Sequence, residues 1–166
     1  MIEEKTFQKI YSKALNFVSD IPRTRKEVLD RLDRYVFKLT LDSEDKYELK
    51  LSVLTLLEED GLINDERYVR DFINNFKLSS KPRSIRKIKY FLFKKGITSD
   101  LIERELSLLE GSVETGNIEK ELNKAVSRYS GLEGYQLRSK LTSYLLRKGY
   151  DGDMVYNVVD TFLGVK

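Results

Sequence analysis

Residues 77–95 carry eight lysines and arginines and not one aspartate or glutamate. Side chains of this type pair with phosphate or carboxylate groups, arginine through the two-pronged fork of its planar head. Ordinary surfaces intersperse both signs, so an unbroken cationic stretch is either a solvated helix face or the seat of an anionic partner. Written as a helix, Arg83, Lys87 and Lys94 lie roughly on one side, Arg86 and Lys89 flank them, and Ile85, Ile88 and Leu92 face inward. Lys81 and Lys95 extend the cations at either end, and Arg138, Lys140, Arg147 and Lys148 continue the theme further along the chain. Aromatic residues are interleaved. Ile88, Phe91 and Leu92 can share one face, which leaves Tyr90 or Phe93 partly exposed, either as a partner contact or against a neighbouring unit. The ten tyrosines could stack on nucleic-acid bases. Tyr11, Tyr68 and Tyr129, however, sit on or beside apolar stripes and read as core.

Catalysis has little to work with. The chain has no histidine and no cysteine, which removes the commonest general base, the commonest metal ligands and any disulfide. Glu58-Glu59-Asp60 and Asp42–Asp45 are acidic clusters without calcium-loop spacing, better explained as solvated helix ends. There is no Gly-rich phosphate loop and no nucleophile beside a base. The expectation is no catalytic residue, no metal and no cofactor. No apolar run reaches membrane-spanning length and the start lacks a signal-peptide shape, so a reducing, cytoplasmic location is expected. Net charge is only +3, but it is unevenly spread, because the charges of residues 100–121 are mainly acidic.

The elements that must position these cations come from self-comparison. At a shift of 53 residues, Val69, Phe72, Ile73 and Phe76 fall on Leu122, Ala125, Val126 and Tyr129. Ile88 and Leu92 fall on Leu141 and Leu145, and Lys95-Gly96 falls on Lys148-Gly149. Leu101, Ile102, Leu106 and Leu109 fall on Met154, Val155, Val159 and Phe162. Each block is one apolar stripe on a helix. A looser first copy lies upstream: Pro22-Arg23-Thr24 matches Pro82-Arg83-Ser84, and Val28 and Leu32 match Ile88 and Leu92. Tyr11, Ala14, Leu15 and Val18 supply its first stripe, and Leu49, Val53, Leu54 and Leu57 its third.

Helix punctuation agrees. Thr24-x-x-Glu27 reads as a capping box, Asn64 and Thr98 as helix caps, and Gly61, Gly96 and Gly149 as helix ends. Pro82 sits where a helix could begin. Helices are expected near 4–19, 23–38, 46–60, 65–78, 83–95, 99–110, 117–130, 134–148 and 152–163, with linkers at 38–46 and 110–117. The fold class is all-α: three tandem three-helix repeats, helix-turn-helix-like units at 1–62, 63–112 and 113–166, stacked into an elongated, curved molecule.

The middle repeat carries a resemblance. Gly61-Leu-Ile-Asn-Asp-Glu-Arg-Tyr-Val69, Pro82-Arg-Ser-Ile-Arg86, Leu92-Phe-Lys-Lys-Gly-Ile97 and Asp100-Leu-Ile-Glu103 resemble the bacterial regulatory RecX family. Pro22-Arg-Thr-Arg-Lys-Glu-Val-Leu-Asp-Arg-Leu32 is similar to that family's first-repeat helix, and Arg147-Lys-Gly-Tyr150 adds a third-repeat match. The ordered set covers nearly the whole chain. The first repeat departs from the pattern in lacking a Gly after its second helix, and the second in having Tyr90-Phe91 where a Glu before Leu is usual. The resemblance implies tandem three-helix repeats, no catalysis, and a protein that binds in the groove of the RecA recombinase–DNA filament and suppresses its activity. A monomer is expected, with single- or double-stranded DNA as a further partner. A basic second helix in each three-helix unit also resembles tandem helix-turn-helix modules, so a nucleic-acid binder is the alternative.

Overall fold

The structure, a computed structural model, describes residues 3–78, 82–108 and 112–165, without the side chains of residues 77, 78 and 112. Lys81 and Leu109 therefore lie outside the described residues. Regular structure among the described residues is helical throughout: α1 Glu4–Ser19, α2 Arg25–Phe37, α3 Ser43–Glu59, α4 Asp65–Leu78, α5 Ile85–Lys94, α6 Ser99–Ser107, α7 Ser112–Arg128, α8 Gly134–Lys148 and α9 Gly152–Leu163. These fall as three sets of three along the chain.

Each helix follows from a stripe and its caps. In α1, Ile10, Ala14 and Val18 recur at helical spacing and are buried. Thr24 closes α2 with the expected capping box, its hydroxyl accepting from the Glu27 N–H while the Glu27 carboxylate accepts from the Thr24 N–H. Asn64 caps α4 by accepting from the Arg67 N–H at 2.8 Å, and Thr98 caps α6 through the Leu101 N–H at 3.4 Å. Gly61, Gly96 and Gly149 all have positive φ, as helix ends of this kind require.

Several boundaries differ from expectation, and three of the differences have a visible cause. Helix α5 starts at Ile85 behind Ser84, whose hydroxyl accepts from the Lys87 N–H at 3.4 Å; Pro82 and Arg83 precede the cap, and Pro82 is buried. The 38–46 linker shrinks because Asp42 caps α3 by accepting from the Asp45 N–H at 2.8 Å. The 110–117 linker is largely replaced by the first turns of α7, which run through Gly116. A helical glycine costs about 1 kcal/mol. Tertiary anchors offset it: the Glu114 carboxylate accepts from the Ile85 N–H at 3.0 Å, and Asn117 Nδ2 donates to the Arg83 carbonyl.

The chain divides into two compact units, residues 1–72 with 93–102, and residues 73–92 with 103–166. In the first, α1, α2 and α3 pack around Ile10, Val28, Leu32, Leu49, Val53, Leu54 and Leu57. In the second, α7, α8 and α9 pack around Ile118, Leu122, Leu141, Leu145, Val155 and Val159. Burying one such side chain contributes about 1.5–3 kcal/mol. Val69, Ile73, Ile88, Leu92, Ile102 and Leu106 of the middle helices are buried too, as their stripes require, whereas Phe162 is 45% exposed and leaves the third-repeat stripe.

Candidate functional site

The first unit contains a joint between helix ends. The Thr24 hydroxyl that caps α2 also donates to the Lys95 carbonyl at 2.7 Å. Beside it, Lys95 Nζ meets the Glu27 carboxylate at 2.5 Å. Burial works to raise the Glu27 carboxyl, but the hydrogen bonds from Lys95 and from the Thr24 N–H outweigh it and hold the group below its ordinary value. Gly96, at φ +81°, lies against Lys26 so closely that an added Cβ would overlap that side chain's stem. The first amide of α2, Arg25 N–H, donates to Asp65 at 2.8 Å.

The second unit repeats the arrangement. Ser84 Oγ donates to the Lys148 carbonyl at 2.9 Å, Gly149 at φ +90° would place a Cβ 2.9 Å from that hydroxyl, and the first amide of α5 donates to Glu114. So Pro-Arg-Thr/Ser is a socket and Lys-Gly the plug it receives. The sequence matches each motif to its own copies but does not pair one with the other, because the partners lie 71 and 64 residues apart. Asp65, and Glu114 within the expected 110–117 linker, are acceptors that the sequence does not reveal, for the same reason.

The predicted cations sort by what they touch. Lys95 belongs to the first joint. Lys148 Nζ lies 3.0 Å from the nearly buried Glu121 and over the Tyr144 ring. Glu121 also accepts from the Tyr144 hydroxyl at 2.7 Å; burial favours its neutral form, yet these hydrogen bonds win and hold the carboxyl below its ordinary value. Arg138 grips Asp160 with two bonds of 2.7 and 2.8 Å. Lys89 pairs with Glu103 at 2.6 Å. Arg83, Arg86, Lys87, Lys140 and Arg147 are exposed and have no ion-pair partner among the described residues, and Lys94 is exposed at the end of α5.

The outer face of α5 is unlike its counterparts. Arg86, Lys89, Tyr90 and Phe93 follow at i, i+3, i+4 and i+7 on one side of the helix, with Tyr90 60% and Phe93 63% exposed. Phe91, expected to turn inward with Ile88, is exposed as well. A Pro-to-Pro shift of 60 places Arg86, Tyr90 and Phe93 on Lys26, Asp30 and Asp33 of α2. There Lys26 pairs with Asp30 at 2.6 Å and Asp33 with Lys50. The 53-residue shift places Arg86 and Tyr90 on Ser139 and Ser143 of α8. The first face neutralises itself, and the third sets Ser139 and Ser143 beside an exposed Leu146, with no cation at the matching positions. The middle one keeps cations interleaved with exposed rings.

The acidic clusters serve the chain itself. Glu58 pairs with Arg25 at 2.8 Å, Asp60 accepts from the Tyr11 hydroxyl at 3.0 Å, and Asp42 is a cap. No group of three potential metal ligands occurs among the described residues, and no helix among them is long and apolar enough to cross a membrane. Tyr11 and Tyr129 pack against the first and third cores respectively, as expected.

Three-helix sets whose Pro-Arg-Thr/Ser sockets receive Lys-Gly plugs define an all-helical repeat protein. A family profile described as RecX, third three-helix domain, matches residues 114–159. Regulatory protein RecX of Clostridium perfringens (strain 13 / Type A) is 32% identical over 161 residues, 96% of this chain and 71% of that protein. Its namesake in Chlorobium phaeobacteroides (strain BS1) is 26% identical over 155 residues, 92% and 93% of the two chains. Among solved structures, RecX from Lactobacillus salivarius superposes with a TM-score of 0.79 at 26% identity, covering 99% of this chain and 100% of that one. A further RecX crystal structure gives 0.77 at 20% identity, covering 97% and 79%. The chain belongs to the RecX family of regulatory proteins.

Proposed function

We propose that this protein is a cytoplasmic, non-catalytic monomer of three units, 1–62, 63–112 and 113–166, that binds the RecA recombinase–DNA filament and restrains recombinase activity in DNA repair and recombination. Kinship with regulatory RecX proteins supports the regulatory role. The observation that carries the binding site is the outer face of α5, where Arg83, Arg86 and Lys87, without an ion-pair partner among the described residues, stand with Tyr90 and Phe93 beside the Glu103-paired Lys89, while the equivalent face of α2 pairs Lys26 with Asp30 and Asp33 with Lys50. A filament presents phosphate and protein together and in repeat. Several units engaging successive subunits gain affinity through high effective concentration, which a lone recombinase subunit does not offer.

The experiment is retention of the protein on RecA alone, and on RecA assembled on single-stranded DNA with ATP, over a series of salt concentrations. Tighter binding to the assembled filament, weakening as salt rises, is expected. Replacing Arg83, Arg86, Lys87 and Lys89 together with Ala should lower filament affinity by at least about tenfold, since each lost charge-assisted contact is worth about 1.5–3 kcal/mol. Helicity by circular dichroism should not change, because these side chains point away from the core. A folded quadruple variant that binds and inhibits as the parent does would refute the site.

The exposed rings favour one second reading, a nucleic-acid binder in its own right, because bases stack on aromatic side chains set among cations. Equal retention on naked DNA and on the filament would favour that reading.

A further inference from the structure

The two joints are built alike but charged differently. In the first, Glu27 returns the capping box, taking the Thr24 N–H at 3.2 Å, and neutralises Lys95 at 2.5 Å with Arg23 3.9 Å away. The matching positions in the second joint are Lys87, Ser84, Lys148 and Arg83. A lysine stands where the glutamate stood. It cannot accept from the Ser84 N–H, and it adds a charge where the first joint removes one.

The consequence is an open cleft of about 230 Å³ whose charged lining residues, Arg83, Lys87 and Lys148, are all cations, with Pro82, Ser84 and Tyr150 completing the wall. Arg83 and Lys87 have no ion-pair partner among the described residues, and Lys148 shares one carboxylate, Glu121. Tyr150 is 2% exposed and its hydroxyl has no hydrogen-bond partner. Buried hydroxyls are seldom left so.

We propose that the cleft at the second joint binds a phosphate group, in the place that the Glu27 carboxylate fills in the first. Arg83 would hold it bidentately, Lys87 and Lys148 would supply point charges, and the Ser84 N–H would donate as the Thr24 N–H does. A phosphate answers the three cations better than one carboxylate does, since the first joint has only two cations for its single carboxylate. Phosphate of this kind comes from a nucleic-acid backbone or from a free phosphate. The inference rests on this cleft and not on the recombinase reading, so loss of filament binding by the intact protein leaves it standing.

The test uses the full chain, labelled for amide spectroscopy, titrated with inorganic phosphate and separately with a short single-stranded oligonucleotide, at constant ionic strength set with chloride. The Ser84, Lys87 and Gly149 amides and the Tyr150 ring should move saturably. Unfolding should shift upward by about 3–6 °C at a ligand concentration ten times the dissociation constant. Lys87→Glu, which rebuilds the capping box of the first joint, should stay folded and lose the response. Lys87→Gln should weaken it by about tenfold or more. Lys120→Glu, the same charge change on an exposed part of α7, should respond as the parent does. Movement with inorganic phosphate alone assigns a free phosphate, and movement only with the oligonucleotide assigns the backbone. No saturable movement with either, an undiminished response in folded Lys87→Glu, or movement only with a glutamate-rich peptide overturns the proposal.

Discussion

The hydroxyls of Thr24 and Ser84 each close a helix and hold another helix end with a single oxygen, accepting from the chain at one lone pair and donating their proton across the joint. Removing such a hydroxyl leaves a helix amide and a distant carbonyl unpaired together. Thr24→Ala and Ser84→Ala should each destabilise by about 1–3 kcal/mol, from the lost cap and the lost cross-joint bond, with Thr24→Ser restoring most of it. Gly149→Ala should lose at least about 1–2 kcal/mol, because φ +90° is strained for any side chain and the new methyl would press on Ser84. Denaturant midpoints measure all four variants. The motifs themselves were legible in the sequence, since Pro-Arg-Thr/Ser and Lys-Gly recur. That they bond to one another was not, because each half is a local pattern and the bond is not local.

At the scale of helices, the stripes predicted the elements because helical periodicity is a property of a short window. Leu32 and Leu145 sit at equivalent positions of α2 and α8 and are fully buried. Truncation to Ala leaves a cavity as well as losing transfer energy, so each should cost about 2–5 kcal/mol. Hydrogen exchange should locate the damage: Leu32→Ala accelerates α1, α2 and α3, and Leu145→Ala accelerates α7, α8 and α9. The linker at 110–117 was misread because Gly116 argues against a helix locally, while Glu114 and Asn117 argue for one through residues some thirty positions away. The α5 aromatics were half legible. The pattern required a partly exposed ring, and the structure exposes three.

At the scale of the molecule, both compact units hold carboxyls pulled below their ordinary values, Glu27 in the first, and Glu121 and the Arg138-paired Asp160 in the second. A carboxyl whose folded value is depressed contributes stability that is fully present above the unfolded value and is lost as pH falls through the folded one. Both units should therefore keep these contributions down to about pH 5 and lose them as pH drops below the ordinary carboxylate range, the loss in the first unit being softened by Asp65, whose carboxyl burial raises. Thermal unfolding as a function of pH reads this directly. Glu27→Gln and Glu121→Gln should each flatten the slope.

The all-helical class, the recurring three-helix pattern, most helix ends and the absence of cysteine and histidine were determined by the sequence alone, because periodicity, capping and composition are carried by neighbours in the chain. The tertiary structure alone decided which cations remain available. Lys89, Lys95, Arg138 and Lys148 each meet a carboxylate between 14 and 68 residues away, whereas Arg83, Arg86 and Lys87 meet none among the described residues. A lysine's charge belongs to the residue, but its availability to a partner depends on what the fold brings within a few ångströms of its tip, and Coulomb attraction at that range does not depend on sequence separation.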